Sequence, residues 1–276
     1  MKKHVLPTLS LFAALALSSC FQDETTIHLK KDGSGTLVEE TRLSGQMLGM
    51  MSLDKAPAGA DATQKGPLDD LLSADKAKAR AAELGEGVTF VKVEPVTAGT
   101  SKGARVTYQF ADINKLRISL DEGMKKMNSG DDGPGAAKPA DKEEKPIGFS
   151  YKNGVLTLRP NADMKGGKPD APKKPDAAMQ MDDAQGMAMM KQMFTDMKIS
   201  LKLVADDGIA ESNASHRDGN TITLMEMDMN KLMAKPENMK KLSSLDKENP
   251  AAAMEAMKGI DGVKAELKPE VTVKLK

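Results

Sequence analysis

Residues that could bind a metal are concentrated in the stretch KKDGSGTL, residues 30–37, with Glu40 close behind. Asp-Gly-Ser-Gly-Thr is typical of the middle of a calcium-binding loop. Alignment with a twelve-residue EF-hand loop, however, puts Lys30 at the first ligand position and Thr41 at the twelfth, where a bidentate Glu is required. A lysine at the first position replaces a ligand oxygen by a cation. The stretch therefore predicts a turn between two strands, in which the glycines are free to adopt positive φ.

A second group of reactive side-chain types is Ser215, His216 and Asp218. These are the residue types of a hydrolytic triad, but neighbours on one turn rarely converge, and a nucleophile needs an oxyanion hole and a pocket. The other histidine after residue 20, His28, falls on the outer face of a predicted strand. The sequence also contains no phosphate-binding glycine loop and no H-E-x-x-H. We expect a protein that is not an enzyme and that carries no cofactor.

Methionine is unusually frequent, at 21 of 276 residues. Met190, Met193 and Met197 fall at i, i+3 and i+7, in and just after a predicted helix over about 182–196, and this is the spacing of a buried stripe. Thioether clusters can bind Cu(I), but no His or Cys lies close in sequence to complete such a site. Methionine also fills irregular cores and lines adaptable grooves. The pattern favours core packing, and an apolar binding groove lined by the three residues is the alternative.

The single cysteine, Cys20, follows a segment with the layout of a signal peptide. Met1, Lys2 and Lys3 form a basic start, and an apolar run over 5–17 is too short to span a bilayer. The run ends in Leu17-Ser18-Ser19-Cys20, which resembles the bacterial lipobox, whose cysteine receives a diacylglycerol before cleavage. We expect residues 1–19 to be removed and Cys20 to carry the lipid; an ordinary secretory signal is the alternative.

Lipidation at Cys20 would attach the chain to a membrane of the bacterial cell envelope. Residues 20–24 would then form a lipidated tether, with a reach of under ~20 Å at roughly 3.5 Å per residue. Phe21 rather than Asp follows the cysteine, which resembles the signal for outer-membrane sorting in a Gram-negative cell. No other thiol remains, so we expect no disulfide and a fold held by burial alone.

Composition argues against nucleic acid as a partner, because Lys+Arg and Asp+Glu both number 40. Three segments rich in Ala, Pro, Gly, Lys and Asp have little to bury and are predicted to be long disordered loops: 54–67, 128–146 and 160–177. The rest, 25–276, is predicted to form a single domain, either as one body or as two lobes over 25–159 and 178–276.

Alternating apolar residues and turn signals predict an α+β domain, in which antiparallel hairpins form one or two curved sheets packed with a few helices. Asn153-Gly154 is the strongest hairpin signal, since it favours a type I′ turn. The predicted strands are 25–31, 36–43, 88–96, 103–111, both arms of 147–159, 198–205, 208–215, 221–227, 263–267 and 270–275. The predicted helices are 44–51, 68–84, 182–196, 237–245 and 250–258.

Two parts of the sequence align without gaps, VTYQFADINKL from Val106 and ITLMEMDMNKL from Ile222. In both, a strand runs into Asp-hydrophobe-Asn-Lys-Leu, where Asp112 or Asp228 suits the N-cap of a helical turn. An internal duplication explains the match, and convergence on a favourable strand-to-helix joint is the alternative.

These motifs together resemble a family of uncharacterised bacterial lipoproteins. The resemblance is carried by the lipobox, the DGSG hairpin, the VTYQFADINKL stretch and above all GIAESNASHRDGNTITL over 208–224. It implies a non-enzymatic, membrane-anchored envelope protein that acts as a binding or structural module for an unknown protein partner. Some β-rich lipoproteins of similar plan are thought to bind lipids, so a lipid- or glycolipid-binding module is the alternative function.

Overall fold

The computed structural model describes residues 21–54, 66–120, 146–160, 194–235, 237–238, 241 and 259–276. Over these residues the chain has α+β architecture, with mostly antiparallel strands in two sheets. The strands are β1 Phe21–Leu29, β2 Gly35–Leu43, β3 Thr89–Ala98, β4 Ser101–Phe110, β5 Gly148–Lys152, β6 Val155–Arg159, β7 Lys198–Ala205, β8 Ile209–Ser212, β9 Arg217–Asp218, β10 Thr221–Asp228, β11 Val263–Ala265 and β12 Val271–Leu275. The helices are α1 Gly45–Asp54, α2 Pro67–Leu71, α3 Ala74–Glu83 and α4 Met229–Met233, and a 3₁₀ turn spans Ile113–Lys115.

The large sheet has the strand order β11-β10-β7-β1-β2-β4-β3, with β9 paired to β10. Its central pair, β1 and β7, is parallel, whereas the sequence predicts antiparallel hairpins only. The first strand also begins at Phe21, so residues 21–24, expected to be tether, belong to β1. Phe21 and Asp23 are both buried and alternate with Gln22 and Glu24, which is the period-2 pattern of a strand.

The small sheet has the order β5-β6-β12-β8. The predicted 147–159 hairpin is confirmed as β5 and β6, with positive φ at Asn153 and Gly154 as a type I′ turn requires. The sequence also predicts that the strands 208–215 and 221–227 pair across the turn at 216–220, and that 263–267 pairs with 270–275. Both pairings are wrong: β8 pairs with β12 instead of β10, and β11 and β12 lie in different sheets. Each sheet contains strands from both halves of the chain, 25–159 and 178–276.

The main core contains inward side chains from both sheets. Ile27, Leu37 and Leu203 come from the large sheet, and Leu156 and Val273 from the small one; all five are fully buried. Because neither sheet could bury its apolar face alone, this core holds the two together.

The helix predicted over 68–84 is two helices, α2 and α3. The break falls at Leu72 and Ser73, because the Ser73 side chain accepts a hydrogen bond from the backbone N–H of Lys76 and so caps a new helix. Ala77 and Ala81 are the buried positions of α3.

Several expectations concern residues outside the described ones. These are Cys20 and the lipobox, most of the loops 54–67, 128–146 and 160–177, nearly all of the helix over 182–196, most of the helix over 237–245 and all of the helix over 250–258. Both predicted Asp caps are confirmed: Asp112 accepts from the backbone N–H of Asn114 and Asp228 from that of Lys231. The internal duplication itself stays a prediction.

Candidate functional site beside the first strand

The start of β1 is the point at which the predicted lipidation site meets the folded domain. Phe21 is 7% exposed and is paired with Leu43 at the end of β2. In the sequence Cys20 directly precedes Phe21, so no residue separates the predicted lipidation site from β1. A lipid on Cys20 would therefore leave the domain with no spacer.

Around Phe21 lies a second apolar core, which we call the methionine cluster. Its buried members come from the ends of β1 and β2, from the start of β7 and the residue before it, from α4 and from the turn before β11: Phe21, Leu43, Met197, Ile199, Met229, Leu232 and Ile260. Partly buried residues packed against it include Met47, Leu48, Phe194, Met225, Met227, Met233 and Val263. Met197 is thus a core residue, and Met190 and Met193 lie outside the described residues.

Helix α1 begins directly beside this cluster. Leu43, the partner of Phe21, is followed by Ser44, whose Oγ accepts a hydrogen bond from the backbone N–H of Met47 at 3.0 Å and so caps the helix. Met47 and Leu48 pack against the cluster, while Gly45, Gln46 and Gly49 are exposed.

A polar layer separates the methionine cluster from the main core on the inward face of β1 and β2. Thr41 Oγ1 donates to Asp23 Oδ1 at 2.7 Å, and Glu39 lies 3.5 Å from both Arg80 Nη2 and Tyr108 Oη. Burial, together with the negative charge of Glu39, raises the pKa of Tyr108. Burial acts to lower the pKa of Arg80, but the carboxylates of Glu39 and Glu83 outweigh it and raise that pKa. Both side chains therefore keep their protons at neutral pH, so that Arg80 forms a partly buried ion pair with Glu39 and Tyr108 stays a neutral donor beside it.

The opposite face of the large sheet carries a row of paired charges. Glu24 accepts from Lys202 Nζ at 2.8 Å and from Ser200 Oγ at 3.2 Å. Glu226 lies 3.1 Å from Lys264 Nζ and 3.6 Å from Lys198 Nζ. Burial acts to raise the pKa of each carboxyl, but the neighbouring lysines outweigh it and lower the pKa. These pairs leave little net charge to attract a charged ligand.

Ser215 and His216 have structural partners. The backbone N–H and the Oγ of Ser215 both donate to Glu266, at 2.6 and 2.9 Å, and His216 Nε2 lies 3.2 Å from the carbonyl oxygen of Ala265. The segment 208–224 crosses here from the small sheet at β8 to the large sheet at β9 and β10. The hydrogen bonds of Ser215 and His216 therefore hold this crossing segment against the end of β11 and the loop that follows it.

Sequence reasoning missed Glu266, which is fully buried although no local pattern marks it. It also missed that Gly99 to Gly103 matches the G-x-S-x-G pattern of nucleophilic serines. That pattern requires an exposed serine on a strand-to-helix turn. Ser101 is fully buried and opens β4 in the β3–β4 hairpin, so the match does not have the required context.

The DGSG turn is confirmed as the connection between β1 and β2. Asp32 Oδ1 accepts from the backbone N–H and the hydroxyl of Ser34, and these hydrogen bonds lower the pKa of Asp32. Tyr151 Oη donates to the carbonyl of Lys31, and the ring lies against Gly33. The turn therefore joins the two sheets at the far end of β1.

In the described part of the chain, no three His, Cys, Asp or Glu residues are grouped closely enough to hold a metal ion.

Comparisons with known proteins leave the family open. No family model matches the sequence, and no curated protein matches it. Among solved structures, the chain is similar to the NMR structure of the folded domain of LppM from Mycobacterium tuberculosis. The match has 9% identity and a TM-score of 0.31, and it covers 76% of this chain and 84% of that one. Likeness at this level supports no argument about fold or function.

Among the helices of the described ranges, none is long and apolar enough to cross a bilayer.

Proposed function

We propose that this chain is a non-enzymatic lipoprotein of the bacterial envelope, anchored through Cys20, whose domain binds a partner protein at the membrane surface. The observation that carries the proposal is the start of β1 at Phe21, with its side chain buried in the methionine cluster. A signal segment that ends where a central strand begins agrees with cleavage before Cys20.

A binding or structural role agrees with how the polar side chains are used. Ser215 and Asp32 form hydrogen bonds that hold a turn and a crossing between the sheets, and Glu39 forms an ion pair with Arg80.

Lipid anchoring needs more than one acyl chain to be firm, since each buried methylene contributes about 0.8 kcal/mol. A diacylglyceryl group supplies two. With Phe21 after the cysteine, we place the protein in the outer membrane if the cell is Gram-negative.

Anchoring is tested by metabolic labelling with an alkyne fatty acid, followed by membrane fractionation. The wild-type protein should take up label and sediment with membranes, and Cys20→Ala should lose both properties. Ser18→Ala is the matched control, because it keeps a small residue in the lipobox and should behave as wild type. Label or membrane association that persists in Cys20→Ala would contradict the anchor.

A lipid- or glycolipid-binding module is the second candidate, supported by the position of Met197 in a methionine-rich cluster beside the start of β1. Met197 is only 5% exposed, so a ligand would have to displace core side chains. Native mass spectrometry of the protein produced from Phe21 onward separates the candidates. Co-purified lipid would overturn the preferred proposal, whereas a lipid-free protein that captures an envelope protein would support it.

A further inference from the structure

We propose that α1 is a membrane-contacting helix that lies in the headgroup region of the bilayer, with the domain standing on this end and the DGSG turn pointing away. The inference rests on the proposed lipidation of Cys20 and adds the surface and the orientation with which the anchored domain meets the membrane.

Helix α1 lies close to the predicted lipidation site, both along the chain and across the sheet. Phe21 follows the lipid-bearing residue and is paired with Leu43. Paired Cα atoms in antiparallel strands are about 4.5–5.5 Å apart, so the Cα atoms of Cys20 and Leu43 lie within roughly 10 Å of each other. Helix α1 begins two residues after Leu43. Acyl chains on Cys20 must enter the bilayer next to it, so α1 is held at headgroup level.

Helix α1 is almost free of charged residues. Its first nine residues, Gly45 to Leu53, contain no charged side chain, and Asp54 ends the helix. Helix α3 has the same length, ten residues, but five of them are charged, in the sequence ADKAKARAAE. An exposed helix of a protein with 29% charged residues would be expected to resemble α3.

The exposed residues in the first part of α1 are uncharged. Met47 and Leu48 pack against the methionine cluster, which leaves Gly45, Gln46 and Gly49 exposed. These residues are small or neutral, so they can approach lipid headgroups without the desolvation of a charged side chain. Small side chains also let the helix backbone lie close to the bilayer surface. Since the anchor delivers the bilayer to this side, we take phospholipid as its partner.

The experiment uses site-directed fluorescence in the lipidated, full-length protein. Cys20 is the only cysteine, and its thiol is consumed by the lipid, so a new cysteine can be labelled alone. The test variant is Gln46→Cys in α1. One control is Asp32→Cys in the DGSG turn, which lies roughly 30 Å away because β1 has nine residues at about 3.3 Å each. The second control is Lys78→Cys on α3, whose side chain is 63% exposed.

Each variant is labelled with bimane and reconstituted in vesicles of phosphatidylethanolamine and phosphatidylglycerol that contain brominated lipid. Fluorescence at position 46 should be quenched several-fold more than at 32 or 78. Equal quenching at all three positions, with acylated Cys20 seen by mass spectrometry, would overturn the membrane contact of α1 and leave the proposed lipid anchor standing. Protection of position 46 from aqueous iodide without quenching by brominated lipid would also overturn it, since a protein would then cover α1. Absence of the acyl mass would overturn the proposed anchor and this inference with it.

Discussion

Glu266 accepts three hydrogen bonds in a fully buried position, from the backbone N–H and hydroxyl of Ser215 and from the backbone N–H of Lys268. We predict that Glu266→Ala lowers the free energy of unfolding by about 3 kcal/mol, because it removes three part-buried hydrogen bonds to a charged acceptor. Chemical denaturation of the purified domain measures the loss.

A matched control for Glu266 lies four residues further on. Glu270 forms an ion pair with Arg159 at 2.8 Å, but both side chains are 50% exposed. An exposed pair is worth at most about 1 kcal/mol, so Glu270→Ala should have a small effect. Equal losses of unfolding free energy for the two variants would show that the hydrogen bonds to Glu266 do not stabilise the crossing between the sheets.

Glu226 should make stability depend on pH in the acid range. Its pKa is lowered in the folded protein by Lys264 and Lys198 against the effect of burial. The ion pair therefore stabilises the fold above about pH 4.3, the ordinary pKa of a glutamate, and this contribution is lost as the pH falls through the lowered value. We predict that Glu226→Gln gives a shallower loss of unfolding free energy between pH 5 and 3, measured by urea titration at each pH.

Thr26→Val is the control for that measurement. Thr26 lies on β1 and carries no charge, so its replacement can change stability but should not change the slope with pH. An unchanged slope in Glu226→Gln would mean that other carboxyls cause the acid sensitivity.

Single residues differ in how far the sequence reveals them. Asp112 and Asp228 could be predicted as caps because a cap acts on N–H groups two or three residues away. The role of Glu266 could not be predicted, because its partner Ser215 is 51 residues away. Met197 was predicted as a stripe residue and lies in a core, but the residues that surround it come from strands distant in sequence.

At the scale of elements, the DGSG turn shows how a local signal and a distant contact combine. Gly33 has φ +88°, and a Cβ there would come within 2.9 Å of the Tyr151 ring. We predict that Gly33→Ala costs about 1 kcal/mol for the positive φ and a further loss for the contact with Tyr151. Thermal denaturation of the purified domain measures both.

Gly154 provides the control for Gly33. It has φ +77° and no heavy atom within 4 Å of the position where a Cβ would stand. Gly154→Ala should therefore show only the backbone penalty. A loss as large as that of Gly33→Ala would mean that Tyr151 does not press on the turn.

Hairpins could be predicted because their signals are local, as Asn153-Gly154 shows for β5 and β6. The parallel pair β1–β7 could not, since Glu24 and Ser200, neighbours across that pair, are 176 residues apart and no turn links them. The same reason explains the wrong partner for β8. Its hairpin signal, Asp218-Gly219-Asn220, connects β10 to the two-residue strand β9, and β8 pairs with β12 in the other sheet.

For the whole molecule, shared sheets predict cooperative unfolding. The large sheet joins β1–β4 to β7 and β10, and the small sheet joins β5 and β6 to β8 and β12. We predict one calorimetric transition whose calorimetric and van't Hoff enthalpies agree. Leu203→Ala, at a fully buried position of β7, should lower that transition by the several degrees expected of a core cavity without splitting it. Two resolved transitions would support the two-lobe alternative.

The central place of β1 also sets the order in which the protein can be assembled. On the proposed export route, β1 leaves the membrane first, and it can pair at once with β2, which follows within a few residues. Its other neighbour, β7, ends at Ala205, so that side of β1 stays open until most of the chain has been translocated. Lipidation and cleavage beside Cys20 would therefore take place on a strand with one free edge. The sheet would then close while its first strand is already fixed to the bilayer.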